Sequence, residues 1–247
     1  MSDAGRTEAG IQVGERFHPR AEVLARGRRA ASGLAELGAG AGDAVGILLR
    51  NQLEWFEAWA AVTALGAQPV PLNWHLREDE LEHILADCSA KALIAAADLL
   101  ERFPSLAKRR PLVSVGGELP GASPWESLQE GRESWPQEPG LSGGTLLYTS
   151  GTTGKPKGIR RFPRTPEQAA VYAETARIVY GIEPGMRTLI VAPLYHSAPY
   201  YHATAALQAG GLLVLMERFD ALRMLELVER HRVTNLLLVP TIFSRLL

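Results

Sequence analysis

Cysteine is almost missing from this chain: Cys88 stands alone among 247 residues. A single thiol excludes an internal disulfide framework and any thiolate metal cluster. Its place in the helical pattern from Glu78 to Ala90 suits a small packed hydrophobe better than a reactive nucleophile. Net charge is missing too, with 26 basic against 27 acidic residues and a formal charge of −1. No bulk field favours nucleic acid or an anionic membrane, so local charge must do any anion binding. No apolar run approaches the ~20 residues a membrane helix needs, and no early segment joins a basic start to an apolar core. The expectation is a cytoplasmic protein with no integral membrane segment and no nucleic-acid partner. Peripheral membrane contact and homo-oligomerisation stay open.

What is present alternates between two periods. At 46% hydrophobic, 247 residues can bury a core as one large domain or two small ones. Helical spacing predicts helices over Arg20 to Leu37, from Asn51 to Gly66, over Glu78 to Asp87 and over Asp98 to Ala107. Asn51 with Glu54 three residues on reads as a capping box. Short apolar runs predict strands at Ala44 to Leu49, Gln68 to Leu72, Ala92 to Ala96 and Leu112 to Val115. From 116 to 144 the periodicity fails among prolines and glycines, apart from a short helix around Trp125 to Gln129, and the stretch reads as a linker. Alternation then resumes with strands at Thr145 to Tyr148, Thr188 to Ala192, Leu212 to Met216 and Leu236 to Val239. The helices between and after them cover Pro166 to Tyr180, Ala198 to Ala209 and Ala221 to His231. This pattern predicts an α/β fold with mostly parallel sheets and flanking helices, in two α/β halves at 1–115 and 145–247.

The most informative stretch is Tyr148 to Gly158, YTSGTTGKPKG, directly after Leu146-Leu147. Three glycines let the backbone turn and approach a ligand, hydroxyls donate, and two lysines supply compact positive charge. Polyphosphate needs all three. The segment is not a Walker A loop, because Pro156 follows Gly154-Lys155 where that motif needs Ser or Thr, and Thr149 stands where it needs its first glycine. Pro156 also biases Lys155 to extended geometry, so no helix starts there.

A second stretch, Pro193 to His202 (PLYHSAPYYH), follows a predicted strand and holds three tyrosines and two histidines. Residues just past a strand's C-terminal end line the crevice where α/β proteins bind ligands, which makes His196, Tyr195 and Tyr200 candidates for a substrate pocket. Tyr200 and Tyr201 read equally well as core residues with their hydroxyls turned to water. His196 and His202 lie six apart, on different faces of a helix, with no cysteine or adjacent carboxylate to complete a ligand set, so no metal site is assigned. Asn73 reads as a turn or cap residue.

Thr149-Ser150-Gly151-Thr152-Thr153-Gly154-x-Pro156-Lys157-Gly158 closely resembles the signature loop of the adenylate-forming enzymes, and matches it at every defining position. That superfamily includes acyl-CoA and aryl-CoA synthetases, firefly luciferase and peptide-synthetase adenylation domains. The resemblance runs from about residue 15 and is to the N-terminal part of an acyl-CoA synthetase. It implies that a carboxylic acid attacks the α-phosphorus of Mg-ATP, giving an acyl-adenylate and pyrophosphate, and that coenzyme A then takes the acyl group. Thr149, Ser150, Thr152 and Thr153 would hydrogen-bond the pyrophosphate, Gly151, Gly154 and Gly158 would let the loop close and open again, and Lys157, ranked above Lys155, would offset charge. Lys157, Thr152 and His196 are thereby the implied catalytic residues. His196, with Tyr195 and Tyr200 beside it, would border the acid. His75 stands where the family usually has arginine, and Arg160-Arg161 resembles bacterial fatty-acyl and bile-acid ligase-like members. The family's Tyr-Gly-x-Thr-Glu and Thr-Gly-Asp stretches do not occur, so the chain alone is not expected to turn over. A naturally short, non-catalytic nucleotide- or acyl-binding subunit is the alternative.

Overall fold

Short apolar strands joined by helices bury both faces of a sheet, and this sequence builds that arrangement twice. The computed structural model describes residues 8–106, 109–140, 144–149, 156–162 and 164–246. The chain begins with β1 (Gly10–Val13), β2 (Arg16–Pro19), α1 (Arg20–Glu36), β3 (Ala44–Leu48), α2 (Leu53–Ala64), β4 (Gln68–Pro71), α3 (Glu78–Asp87) and β5 (Ala92–Ala96). There follow α4 (Ala97–Arg102), β6 (Leu112–Val115), β7 (Ala122–Pro124), β8 (Thr145–Thr149) and β9 (Lys157–Arg161). The last elements are α5 (Pro166–Tyr180), β10 (Arg187–Ile190), α6 (Ser197–Gln208), β11 (Leu212–Leu215), α7 (Ala221–Arg230) and α8 (Pro240–Phe243). The α/β class with mostly parallel sheets is what the alternation predicted. The chain divides into two compact units, one of residues 1–23, 51–53 and 165–247 and one of residues 24–50 and 54–164.

The second unit holds an all-parallel sheet in the order β4-β3-β5-β6-β7, and the antiparallel hairpin β8–β9. Every residue of β3, β4, β5 and β6 is buried, as helix cover on both faces demands. The proline- and glycine-rich stretch that begins at 116 is fastened to this unit. Trp125 is fully buried; its indole N–H donates to the buried Glu57 carboxylate at 2.9 Å and its amide to the Ser114 carbonyl at 2.8 Å. Burial raises the pKa of Glu57, a shift opposed by that indole bond and by Arg26, 3.0 Å from the other oxygen. Further along, Arg28 Nε donates to the Trp135 carbonyl at 2.7 Å and Arg132 pairs with Glu36 at 2.6 Å. Gly33 of α1 permits this approach, since a Cβ there would stand 2.7 Å from the Leu128 carbonyl oxygen.

The first unit holds the sheet β10-β11-β1-β2, in which β10, β11 and β1 are parallel and β2 turns back antiparallel to β1. Leu189, Val191, Leu212, Val214, Met216, Met224 and Leu227 form its core. The helix α5 starts with a capping box between Thr165 and Gln168 and stops at Gly181, whose φ of 63° is left-handed.

The structure differs from the expectations in local detail. β1 and β2 were not foreseen, nor were β7 and β9. The expected strand Leu236 to Val239 is not one: only an isolated parallel bridge joins Asn235 to Thr188. Thr234 and Asn235 both donate to the same Arg187 carbonyl, at 2.8 and 3.1 Å, so the ladder bunches instead of advancing. The Asn51 side chain does not cap α2 and is used elsewhere, as described below.

Trp125→Phe keeps an aromatic ring but strands a Glu57 oxygen in the interior. The substitution is expected to cost about 1–3 kcal/mol, measured as a lower urea midpoint with an unchanged slope. An unchanged midpoint would show that this bond does not hold the segment down.

Candidate functional site

The hairpin β8–β9 carries the first group of candidates. Leu146 and Leu147 bury the root of β8 against β4, whereas Thr149 and all of β9 are exposed. Burial therefore falls away along β8 towards the loop. In the register, Thr149 lies directly opposite Lys157 as the last pair before the loop. Directly opposed residues share a face with their Cβ atoms about 5 Å apart, so a hydroxyl and an ammonium stand together at the loop's mouth. Ser150, Gly151, Thr152, Thr153 and Gly154 lie outside the described residues. Arg160 pairs with Leu146 and Arg161 with Thr145 at the hairpin's root, roughly 10–13 Å along the strand from Lys157.

Tyr148 points to the other face of β8 and donates its phenol proton to the Asp87 carboxylate at the end of α3. Burial first, then Asp87, pushes the phenol's pKa far up, so the proton stays on the oxygen. Gly158 lies opposite Tyr148. A Cβ at 158 would stand 2.9 Å from Tyr148 Cζ and 3.1 Å from its oxygen. Cys88, next to Asp87, is buried and its thiol pKa is raised by burial, which suits packing.

The aromatic stretch follows β10 in the other unit. His196 is the N-cap residue of α6, with extended φ and ψ of −82° and 144° and no side-chain cap bond. Its ring is exposed and lies 4.4 Å from the half-buried Tyr195 ring, tilted by 50°. Partial burial lowers the His196 pKa and raises that of Tyr195, so both are neutral at pH 7. Tyr200, one turn into α6, has 0% of its surface exposed and packs edge-on against Tyr201 at 5.1 Å. The structure thus pairs Tyr195 with His196 and turns Tyr200 inward. His202, 6% exposed, bonds Thr188 Oγ1 through Nε2 at 2.9 Å. Asn73 Oδ1 accepts from the His75 amide at 2.9 Å, making a local turn. Among the described residues no three His, Cys, Asp or Glu side chains gather into a set that could hold a metal ion.

The residue that sequence reasoning missed here is Asn51. Its side chain, 3% exposed, donates to the carbonyls of Ala192 at 3.0 Å and Met216 at 3.3 Å and accepts from the Leu194 amide at 3.1 Å. It staples the C-terminal ends of β10 and β11 and fixes the backbone that leads into Tyr195 and His196. Its sequence signal is an amide side chain just before an apolar helix, which also reads as a cap.

A family model for AMP-binding enzymes matches residues 14–247. Feruloyl-CoA synthase of Amycolatopsis sp is 35% identical over 229 residues, which cover 91% of this chain and 44% of that protein. 4-Coumarate–CoA ligase 3 of Oryza sativa subsp. japonica is 30% identical over 246 residues, 94% of this chain and 43% of that one. O-succinylbenzoate coenzyme A synthetase of Bacillus subtilis, solved in complex with AMP, matches with a TM-score of 0.79 at 27% identity over 97% of this chain and 60% of that one. Its complex with ATP and a magnesium ion matches with a TM-score of 0.79 at 25% identity over 97% of this chain and 62% of that one. The chain spans less than half the length of these curated relatives.

Two outcomes are expected of the first unit. Asn51→Ala leaves a buried amide and two carbonyls without their partner, and should lower the unfolding free energy by about 1–3 kcal/mol in urea titrations. An unchanged midpoint would deny the staple. Burial lowers the His202 imidazole from 6.5 to about 4. Between those values the unfolded chain binds more protons than the folded one, so stability rises with pH through that window and is lost on acidification. The loss should reach about 3 kcal/mol below pH 4, and His202→Gln should flatten it. Equal pH dependence in both proteins would assign the loss to other groups.

Proposed function

The chain belongs to the family of AMP-binding enzymes, and from that premise we infer that it supplies the N-terminal part of an AMP-forming acid–thiol ligase. The observation that carries this reading is the Thr149–Lys157 pair at the mouth of the glycine- and hydroxyl-rich loop. A carboxylate oxygen of the acid forms a bond to the α-phosphorus of ATP while the bond to pyrophosphate breaks, giving an acyl-adenylate. The thiol of coenzyme A then attacks the acyl carbon, AMP leaves, and the thiol proton passes to solvent.

The carboxylate is already a nucleophile, so the protein's work is positioning and charge stabilisation. Lys157 offsets charge on the departing pyrophosphate. Thr149, Ser150, Thr152 and Thr153 donate hydrogen bonds to its oxygens, and Gly151 and Gly154 bring backbone N–H groups within reach. His196 and Tyr195 border the acid, and their neutrality lets them line an apolar substrate without adding a buried charge. Among the described residues no three His, Cys, Asp or Glu side chains gather to hold a metal ion, and Mg2+ accompanies ATP in the Bacillus subtilis enzyme.

The identity to feruloyl-CoA synthase favours an aromatic acid, and the Arg160-Arg161 resemblance favours a fatty acid. Both belong in the test. Incubated with hydroxycinnamic, other aryl, fatty and bile-type acids, the whole gene product should exchange labelled pyrophosphate into ATP only when the right acid is present. No exchange with any of them would overturn the reading. Lys157→Ala should slow exchange about 100-fold, as loss of a charge-stabilising donor does, and Lys155→Ala far less. Equal effects would show that the charge is wrongly assigned to Lys157.

A further inference from the structure

The bond between Tyr148 and Asp87 has no part in the chemistry above. Beyond Leu147 the hairpin has little packing of its own, because Thr149 and β9 are exposed. Among the described residues, Tyr148 makes the outermost side-chain hydrogen bond of β8, and it reaches the last residue of α3. Glycine at 158 lets the ring cross the facing strand, since a Cβ there would press on Cζ and the phenol oxygen at 2.9 and 3.1 Å. Gly158 therefore serves the tyrosine.

We propose that Tyr148, Asp87 and Gly158 form a clasp that sets the position of the Thr149–Lys157 pair, with Tyr148 and Asp87 as positioning residues for the nucleotide. The inference rests on the nucleotide reading of the preceding subsection. Tyr148 and Lys157 are neighbours across the strand pair, Tyr148 opposite Gly158 and Lys157 opposite Thr149. Holding the phenol on Asp87 therefore holds the backbone from which the Lys157 and Thr149 side chains project. Without the clasp the Thr149–Lys157 pair samples more positions, and ATP must order it on binding. Such a cost falls on nucleotide affinity and not on the acid.

The test compares the whole gene product with its Tyr148→Phe, Asp87→Asn, Gly158→Ala and Tyr148→Phe/Asp87→Asn variants. Amide hydrogen exchange is measured without nucleotide, and KM for ATP and for the acid in pyrophosphate exchange. Each single variant should speed exchange in the peptide spanning 145–162 about tenfold, the scale of one hydrogen bond to a charged group. The double variant should add nothing further. KM for ATP should rise by a similar factor with KM for the acid unchanged, a split that general destabilisation would not produce. Unchanged protection, or additive effects in the double variant, with normal ATP binding in the unsubstituted protein would overturn the clasp alone. An unsubstituted protein that binds no ATP would overturn the nucleotide reading and the positioning role with it.

Discussion

Parallel pairing of β1 with β11 is the constraint on which the first unit depends. Gly10 lies against Leu212 and Val13 against Leu215, so segments from opposite ends of the chain become neighbouring strands. Buried strands cannot leave their N–H and C=O groups unpaired, and β11 satisfies both edges only with β10 on one side and β1 on the other. That arrangement brings the C-terminal ends of β10 and β11 side by side, close enough for one amide, that of Asn51, to reach Ala192 and Met216 together. Ends of parallel strands are where α/β proteins place ligands. The backbone entering Tyr195 and His196 is thus held by buried bonds, while the two rings themselves stay at or near the surface.

In the second unit the same economy of burial makes a graded hairpin. The root of β8 is apolar and embedded; its mouth carries a hydroxyl opposite an ammonium. A chain with almost no net charge has gathered Lys157, Arg160 and Arg161 onto one exposed strand. Exposed ion pairs of the kind formed by Arg177 with Glu174 are worth about 0–1 kcal/mol, so pairs of this kind add little to stability.

Stability and specificity lean on a few buried polar groups. Glu57, Asn51 and His202 each sit in the interior and each ties together segments distant in the chain. Burial raises the carboxyl of Glu57 and lowers the imidazole of His202, opposite directions with one cause, since low polarity disfavours whichever form is charged. The bonds to Trp125 and Thr188 offset part of that cost.

Much of the fold was legible in the chain because period and burial coincide. α2, α3, β3 and β5 repeat apolar residues at helical or strand spacing, and the loop Thr149 to Gly158 stands out by its composition. β1 and β2 were hidden, being four residues each with mixed polarity, although the Gly14-Glu15 pair between them is a turn signal. β9 could not be read at all, because Lys-Gly-Ile-Arg-Arg has no apolar alternation and is a strand only by pairing with β8. The reverse holds for Leu236 to Val239, an apolar run that the bunched bonds at Arg187 keep from becoming a strand. The sequence by itself determined the α/β class, the glycine-, hydroxyl- and lysine-rich composition of the loop and the aromatic character of the stretch after β10. Tertiary structure alone decided that Asn51 staples two strand ends, that Tyr200 turns inward while His196 stays out, and that Tyr148 bonds Asp87. The reason is physical: periodicity and composition act between near neighbours, whereas a buried hydrogen bond is chosen by whatever the folded chain brings within about 3 Å.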